Sequence, residues 1–179
     1  MVEIILITGG ARSGKSRHAR QLAESLKGKK LFVATSPVTD PEMHLRIERH
    51  REERTGSDWH TVEETVDLDE VLLANREYEV VLIDCLTLWV NNLLFTDAGN
   101  ELTEELLADK TRKVIEACRG RAGTVLFVTN EVGLGIVPEN PLARRYRDLV
   151  GRCNQEIAAA ADKVIMTICG IPMTVKEKI

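Results

Sequence analysis

Four stretches of this chain are apolar at almost every position, and the segments between them carry apolar residues at helical spacing. The four runs are Glu3–Thr8, Lys30–Thr35, Tyr78–Asp84 and Gly123–Thr129. Short β-branched runs bounded by turn residues fit strands covered on both faces, as in a parallel sheet. Helical patterns follow over Ser16–Leu26, Pro41–Arg54, Cys85–Phe95 and Thr103–Arg119. Asp40-Pro41 and Asn140-Pro141 are helix starts with Pro at the first position, and Asp67 with Glu70 forms a capping-box pattern. The helix after Asn140 sets Leu142, Tyr146, Leu149, Cys153, Ile157 and Ala160 on one face. Trp59–Val66 reads as extended. Lys163–Cys169 and Met173–Lys176 read as two closing strands, as an edge hairpin. Alternating strands and helices predict one α/β domain over residues 1–179, a mostly parallel sheet flanked by helices.

Composition narrows the function classes. With 179 residues, 44% hydrophobic and 29% charged, the chain is long enough for one real core. A formal charge of −4 gives no support to nucleic acid as the main partner. The first apolar run is too short to span a bilayer and lacks a basic leader, and no other segment approaches membrane length, so no membrane partner is expected. Cys85, Cys118, Cys153 and Cys169 have no metal-ligand spacing. Buried free thiols in a reducing cytoplasm are expected.

The first strand ends on Gly9-Gly10-Ala11-Arg12-Ser13-Gly14-Lys15-Ser16, which fits the P-loop pattern. Strand, glycine loop and helix in that order is the context the motif needs. The loop turns successive N–H groups toward phosphate oxygens, and the following helix adds the positive end of its dipole. Lys15 then neutralises the outer phosphates and the Ser16 hydroxyl ligates Mg²⁺. These residues predict a nucleoside triphosphate site.

Asp84 ends its strand where a Walker-B acid sits, suited to hold Mg²⁺ opposite Ser16; it is equally placed to cap the Cys85 helix. Over Pro41–Arg54, an apolar stripe begun by Met43 and Ile47 continues as His50 and Arg54, with Arg46 and Glu53 beside His50. Nearby cations favour neutral imidazole, the nucleophilic form, and arginines grip phosphates bidentately. A charge-laced surface helix, pairing Glu42 with Arg46 and Arg49 with Glu53, is the competing reading, and composition alone favours it. Thr129–Asn140 is a Gly- and Pro-rich loop at another strand end, a mobile binding loop or a tight turn. Arg144-Arg145-Tyr146-Arg147 sits unfavourably for a helix dipole, which points to an anionic ligand or a subunit contact.

Together these blocks resemble the bifunctional adenosylcobinamide kinase/adenosylcobinamide-phosphate guanylyltransferases of cobalamin biosynthesis. The resemblance rests on Thr8–Arg17, Ala34–Ser36, Arg46-Ile47 with His50, Asn130–Pro138, Arg147-Asp148, Gly151-Arg152, Asn154-Gln155 and Ala161-Asp162. It implies a RecA-like P-loop fold, a cytoplasmic homotrimer, GTP and ATP with Mg²⁺, and two reactions. Adenosylcobinamide is phosphorylated first. GMP then passes from GTP through a guanylyl-histidine to adenosylcobinamide phosphate. By that likeness His50 is the nucleophile, which reverses the reading from composition, and Lys15 is the second catalytic group. The nucleotide contacts it implies are Gly9, Gly10, Ala11, Arg12, Ser13, Gly14, Lys15 and Ser16, then Ala34, Thr35 and Ser36. Arg51, Glu52, Glu53 and Arg54, with Glu63 and Asp84, complete them. The metal ligands it implies are Ser16 and Asp84. Many relatives carry two adjacent histidines where this chain has Arg49-His50, so any supporting role of the first is lost. A kinase without guanylyl transfer and a GTP-dependent switch are the competing classes. The second lacks its guanine motif, since Thr129-Asn130-Glu131-Val132 is not Asn-Lys-x-Asp.

Overall fold

A computed structural model of the chain describes residues 2–36, 59–96 and 102–178. Seven strands form one sheet: β1 Val2–Thr8, β2 Lys30–Ala34, β3 Trp59–Glu63, β4 Val80–Asp84, β5 Gly123–Val128, β6 Lys163–Ile168 and β7 Ile171–Glu177. Their spatial order is β3-β2-β4-β5-β1-β6-β7; all neighbours run parallel except the β6–β7 hairpin at one edge. The expected α/β architecture, strand set and edge hairpin are therefore present. Five helices are described: α1 Lys15–Ser25, α2 Leu68–Ala74, α3 Leu86–Thr96, α4 Glu104–Arg119 and α5 Pro141–Ala160.

The apolar runs are unbroken because both faces of the sheet are covered. Ile4 and Leu6 point into one core with Leu31, Val33, Val81, Ile83, Val125 and Phe127, which α2, α3, α4 and α5 complete. Ile5 and Ile7 point into the other with Phe32, Leu82, Leu126 and Val128. There α1 presents Ala19 and Ala23, small residues that let its backbone approach the sheet. Period-two alternation thus feeds two cores from one strand. Full burial of each such aliphatic side chain is worth about 1.5–3 kcal/mol.

Two polar clamps close the sheet. Asp162 accepts the Ile4 N–H through Oδ2 at 2.9 Å and the Lys178 ammonium through Oδ1 at 2.9 Å, joining the start of β1 to both ends of the hairpin. The Ile4 N–H, then Lys178, hold its carboxyl below the usual range. Buried Arg121 donates to the carbonyls of Leu72, Asn75 and Tyr78, tying the end of α4 to the turn before β4.

Two local expectations change, and the basic run gains partners. Asp67 occupies the N-cap position of α2, yet its side chain makes no capping bond. The Glu64 carboxylate takes the Val66 and Asp67 N–H groups instead, at 2.7 and 3.1 Å. Leu142, expected on the buried face of α5, is exposed, because the first turn of that helix stands clear of the core; Tyr146 packs against the core and full burial begins at Leu149. The basic run is drawn to partners within the chain: Arg144 donates to the carbonyls of Pro138 and Glu139, Arg145 to Leu102, and Arg147 pairs with Asp148. All four cysteines are free; Cys85, Cys118 and Cys153 are buried and Cys169 is exposed.

Candidate active site

Strand register brings sequence-distant candidates into one row. Ala34 pairs with Glu63 on one side and Asp84 on the other; Asp84 pairs with Val128, and Val128 with Ile7. Glu63, Ala34 and Asp84 therefore stand at the carboxyl edge from which Gly9–Ser16 emerges, the edge where ligands of parallel sheets collect.

The glycine loop has the form the motif requires. Gly14 holds φ at 93° and caps α1 without a side chain, and no acid occupies the first turn of that helix. The first N–H groups of α1 are thus left to an anion rather than to a capping carboxylate. A Cβ on Gly9 would lie 2.5 Å from the Thr167 carbonyl oxygen and 2.6 Å from Ser13 Oγ, so only glycine fits there. Lys15 is buried and its Nζ donates to the Gly10 carbonyl at 3.1 Å, which folds the cation back over the loop. Among the described residues the buried Ser13 hydroxyl has no hydrogen-bond partner.

One support could not be read from the sequence. The turn of the β6–β7 hairpin packs on the loop: the Gly170 N–H donates to the Ser13 carbonyl at 2.8 Å, and the Gly170 Cα lies 3.2 Å from where a Gly14 Cβ would stand. Nothing in the spacing between Ser13 and Gly170 signals that meeting.

Beside the loop, a buried polar network fixes the ends of β2, β4 and β5. Thr35 is fully buried; its hydroxyl donates to the Cys85 carbonyl at 2.8 Å and accepts the Cys85 N–H at 2.7 Å. Its N–H donates to the Asp84 carbonyl, and Asn92 Nδ2 donates to its carbonyl at 2.8 Å. The peptide between Asp84 and Cys85 is cis. Thr87 Oγ1 lies 2.9 Å from Cys85 Sγ and accepts from Asn130 Nδ2, while the Tyr146 hydroxyl donates to the Thr87 carbonyl at 3.0 Å. Thr129 Oγ1 donates to Asn154, and Asn154 donates to the Asn130 carbonyl. Asn92 carries a sequence signal, a polar residue on the buried face of the apolar helix α3; Tyr146 stands on the predicted inner face of α5, Asn154 lies in a block of the resemblance, and Thr87 carries no signal.

Electrostatics agree with this placing. Burial first, then the Asp84 charge, push the Cys85 thiol up to about 11, while Lys15 acts on it in the opposite sense. Both charges are therefore felt at one residue. Among the described residues no three His, Cys, Asp or Glu side chains cluster as a metal cage. A P-loop cation does not need one, since it draws most ligands from phosphates and water, with one hydroxyl and one or two carboxylates from protein. Ser16 and Asp84 have that chemistry. His50, Arg46, Arg51, Glu52, Glu53 and Arg54, with the helix expected over 41–54, lie outside the described residues.

Known proteins resemble this chain along almost its whole length. A family model described as "Cobinamide kinase / cobinamide phosphate guanyltransferase" matches residues 5–175. The bifunctional adenosylcobalamin biosynthesis protein CobU of Escherichia coli (strain K12) is 44% identical, over 97% of this chain and 99% of its own. Its counterpart in Salmonella typhimurium is 42% identical over the same shares. CobP of Pseudomonas aeruginosa is 41% identical over 96% of each. With the glycine loop and strand-end acid inside the matched span, the chain belongs to the cobinamide kinase/cobinamide phosphate guanyltransferase family.

Proposed function

We propose that the chain carries out both reactions its family is described by, on adenosylcobinamide and then on adenosylcobinamide phosphate. In the first, the hydroxyl oxygen of the substrate's side arm attacks the γ-phosphorus of ATP or GTP. The bond to the β–γ bridging oxygen breaks, the nucleoside diphosphate leaves and the hydroxyl proton passes to solvent. Lys15 and the N–H groups of the glycine loop hold the charge that builds on the phosphates. Mg²⁺, when bound between Ser16 and Asp84, would add further charge neutralisation there.

In the second, a ring nitrogen of His50 attacks the α-phosphorus of GTP and pyrophosphate leaves, giving a guanylyl-histidine. A phosphate oxygen of the cobinamide phosphate then displaces the histidine and yields adenosylcobinamide-GDP. Covalent catalysis of this kind divides one transfer into two easier steps. Gly9–Ser16, Ala34–Ser36, Arg51–Arg54, Glu63 and Asp84 are the nucleotide contacts of this reading.

A single observation carries it: the Gly9–Ser16 loop folds with its cation over it, beside Asp84, in a chain that matches the family from residue 5 to 175. The reading also includes one domain, a cytoplasmic location and a homotrimer. The four free cysteines support the location, and the exposed apolar residues Ile171, Met173 and Val175 along β7 support the assembly. No described helix is long and apolar enough to cross a membrane.

Incubation with GTP labelled at the α-phosphate is expected to leave an acid-labile, base-stable label on the protein, and His50→Ala is expected to abolish it. Label that persists on the variant would sink the assignment of His50. Phosphorylation of cobinamide without any label would leave a kinase alone.

A further inference from the structure

We propose that the loop between β5 and α5 is the docking surface for the macrocycle of the corrinoid substrate, with Leu134, Ile136 and Val137 as its contact residues. The inference rests on the reading given under Proposed function, and it adds where the acceptor sits.

Both feet of this loop are pinned. At the first, the Thr129 N–H donates to the Ile7 carbonyl and the Glu131 N–H to the Gly9 carbonyl at 3.1 Å, which ties the loop to the first glycine of the phosphate site. Val132 still packs against the core. Immediately after it, Glu131 Oε1 accepts the Gly133 N–H at 2.9 Å and turns the chain outward. At the other foot, Arg144 holds the carbonyls of Pro138 and Glu139, and Asn140 caps α5 through the Leu142 and Ala143 N–H groups.

Between these fixed feet the side chains point away from the protein. Leu134 is 77% exposed, Ile136 96% and Val137 60%. Three large aliphatic residues standing together in water forgo the burial that drives folding, and such patches mark binding surfaces. No Lys or Arg lies between Thr129 and Ala143, whereas Glu131 and Glu139 do. Arg144, the next cation along the chain, is turned to the Pro138 and Glu139 carbonyls at the loop's foot, so the charge at the loop tip does not favour a triphosphate. A macrocycle rimmed by methyl and amide groups, with a cationic cobalt, fits both the apolar surface and the sign of the charge. Its hydroxyl-bearing arm must bring oxygen to within about 3.5 Å of the γ-phosphorus. A loop hydrogen-bonded to Gly9 is placed to hold the ring while the arm reaches over Gly9–Ser16.

The test combines Leu134→Ser, Ile136→Ser and Val137→Ser, changes at exposed sites that leave the fold intact, with Ile136→Leu as the conservative control. Cobinamide phosphorylation is followed against cobinamide and GTP concentration, GTP affinity is measured by calorimetry, and mass in solution by light scattering. The triple variant is expected to raise the KM for cobinamide about tenfold or more, with GTP affinity and mass unchanged and Ile136→Leu like the parent. An unchanged KM for cobinamide overturns the proposal. A GTP affinity that falls in step means that the loop serves the nucleotide, and a change of mass means that a second copy of the chain covers it; either result overturns it as well. Failure of the parent protein to phosphorylate cobinamide would instead remove the functional reading beneath it.

Discussion

The hydroxyl of Thr35 bridges both backbone groups of Cys85, donating to its carbonyl at 2.8 Å and accepting its N–H at 2.7 Å. Because Asp84 immediately precedes Cys85, this one side chain, the first past β2, fixes the direction in which the strand-end acid of β4 leaves the sheet. The Thr35 N–H adds a third tie, to the Asp84 carbonyl. Thr35 is entirely buried, so its hydroxyl acts on the site through Asp84. Beside the nucleotide contact proposed for Thr35, its hydroxyl is a positioning group.

Thr35→Val keeps the shape of the side chain and leaves the Cys85 N–H and carbonyl unpartnered in a dry place. The expected loss is about 1–3 kcal/mol in denaturant unfolding. Turnover is expected to fall about tenfold, as for a small displacement of a site group, while the KM for the nucleotide moves little. Thr35→Ser retains the hydroxyl and should restore both. Weakened nucleotide affinity with turnover preserved would instead indicate direct contact with the ligand, as the family resemblance implies.

Gly9 and Gly10 are neighbours in sequence and opposites in space. A Cβ on Gly9 would stand 2.5 Å from the Thr167 carbonyl, whereas one on Gly10 would meet nothing within 4 Å. Gly9→Ala must therefore push β1 from β6 or distort the loop, at an expected cost of about 1–3 kcal/mol. Gly10→Ala is expected to change stability by less than about 0.5 kcal/mol. Thermal melts without nucleotide separate the two; equal melts would mean that the loop yields freely at Gly9.

Alkaline pH should destabilise the fold in a window that the buried thiols define. Burial pushes Cys85 up to about 11 and Cys118 and Cys153 up to about 12. In the unfolded chain such thiols ionise at about 8.5. Above that pH the unfolded state binds fewer protons than the native one, so stability falls as pH rises, and it is fully present below. The urea midpoint is expected to be flat from pH 7 to 8 and to decline from about pH 9 upward. Cys153→Ala, which removes one of these groups, should flatten the decline. A variant with the parent's slope would place the alkaline sensitivity elsewhere.

The elements of this fold were legible in the sequence because their signals are local. Four short apolar, β-branched runs bounded by turn residues fit strands covered on both faces, and all four lie side by side in the interior of the sheet. Asn140-Pro141 predicted a helix start, and the Asn140 side chain indeed caps α5. The capping box at Asp67 misled in part because Glu64, just upstream, takes the Asp67 N–H that Glu70 would have reached. In the basic run, Arg144 reaches two carbonyl oxygens of its own chain, partners that the dipole argument does not foresee.

The sequence by itself determined the glycine loop, the strand-end acid and the alternation of strand and helix, since each depends on residues within one turn or one strand. Only the tertiary structure decided which distant residues support them. Register put Glu63, Ala34 and Asp84 in one row. The hairpin turn at Gly170 came to rest on Ser13, Thr35 closed on Cys85, and Leu134, Ile136 and Val137 were left facing solvent. Such pairings arise from strand order and packing, which depend on all the chain's buried surfaces at once, and no short window of residues encodes them.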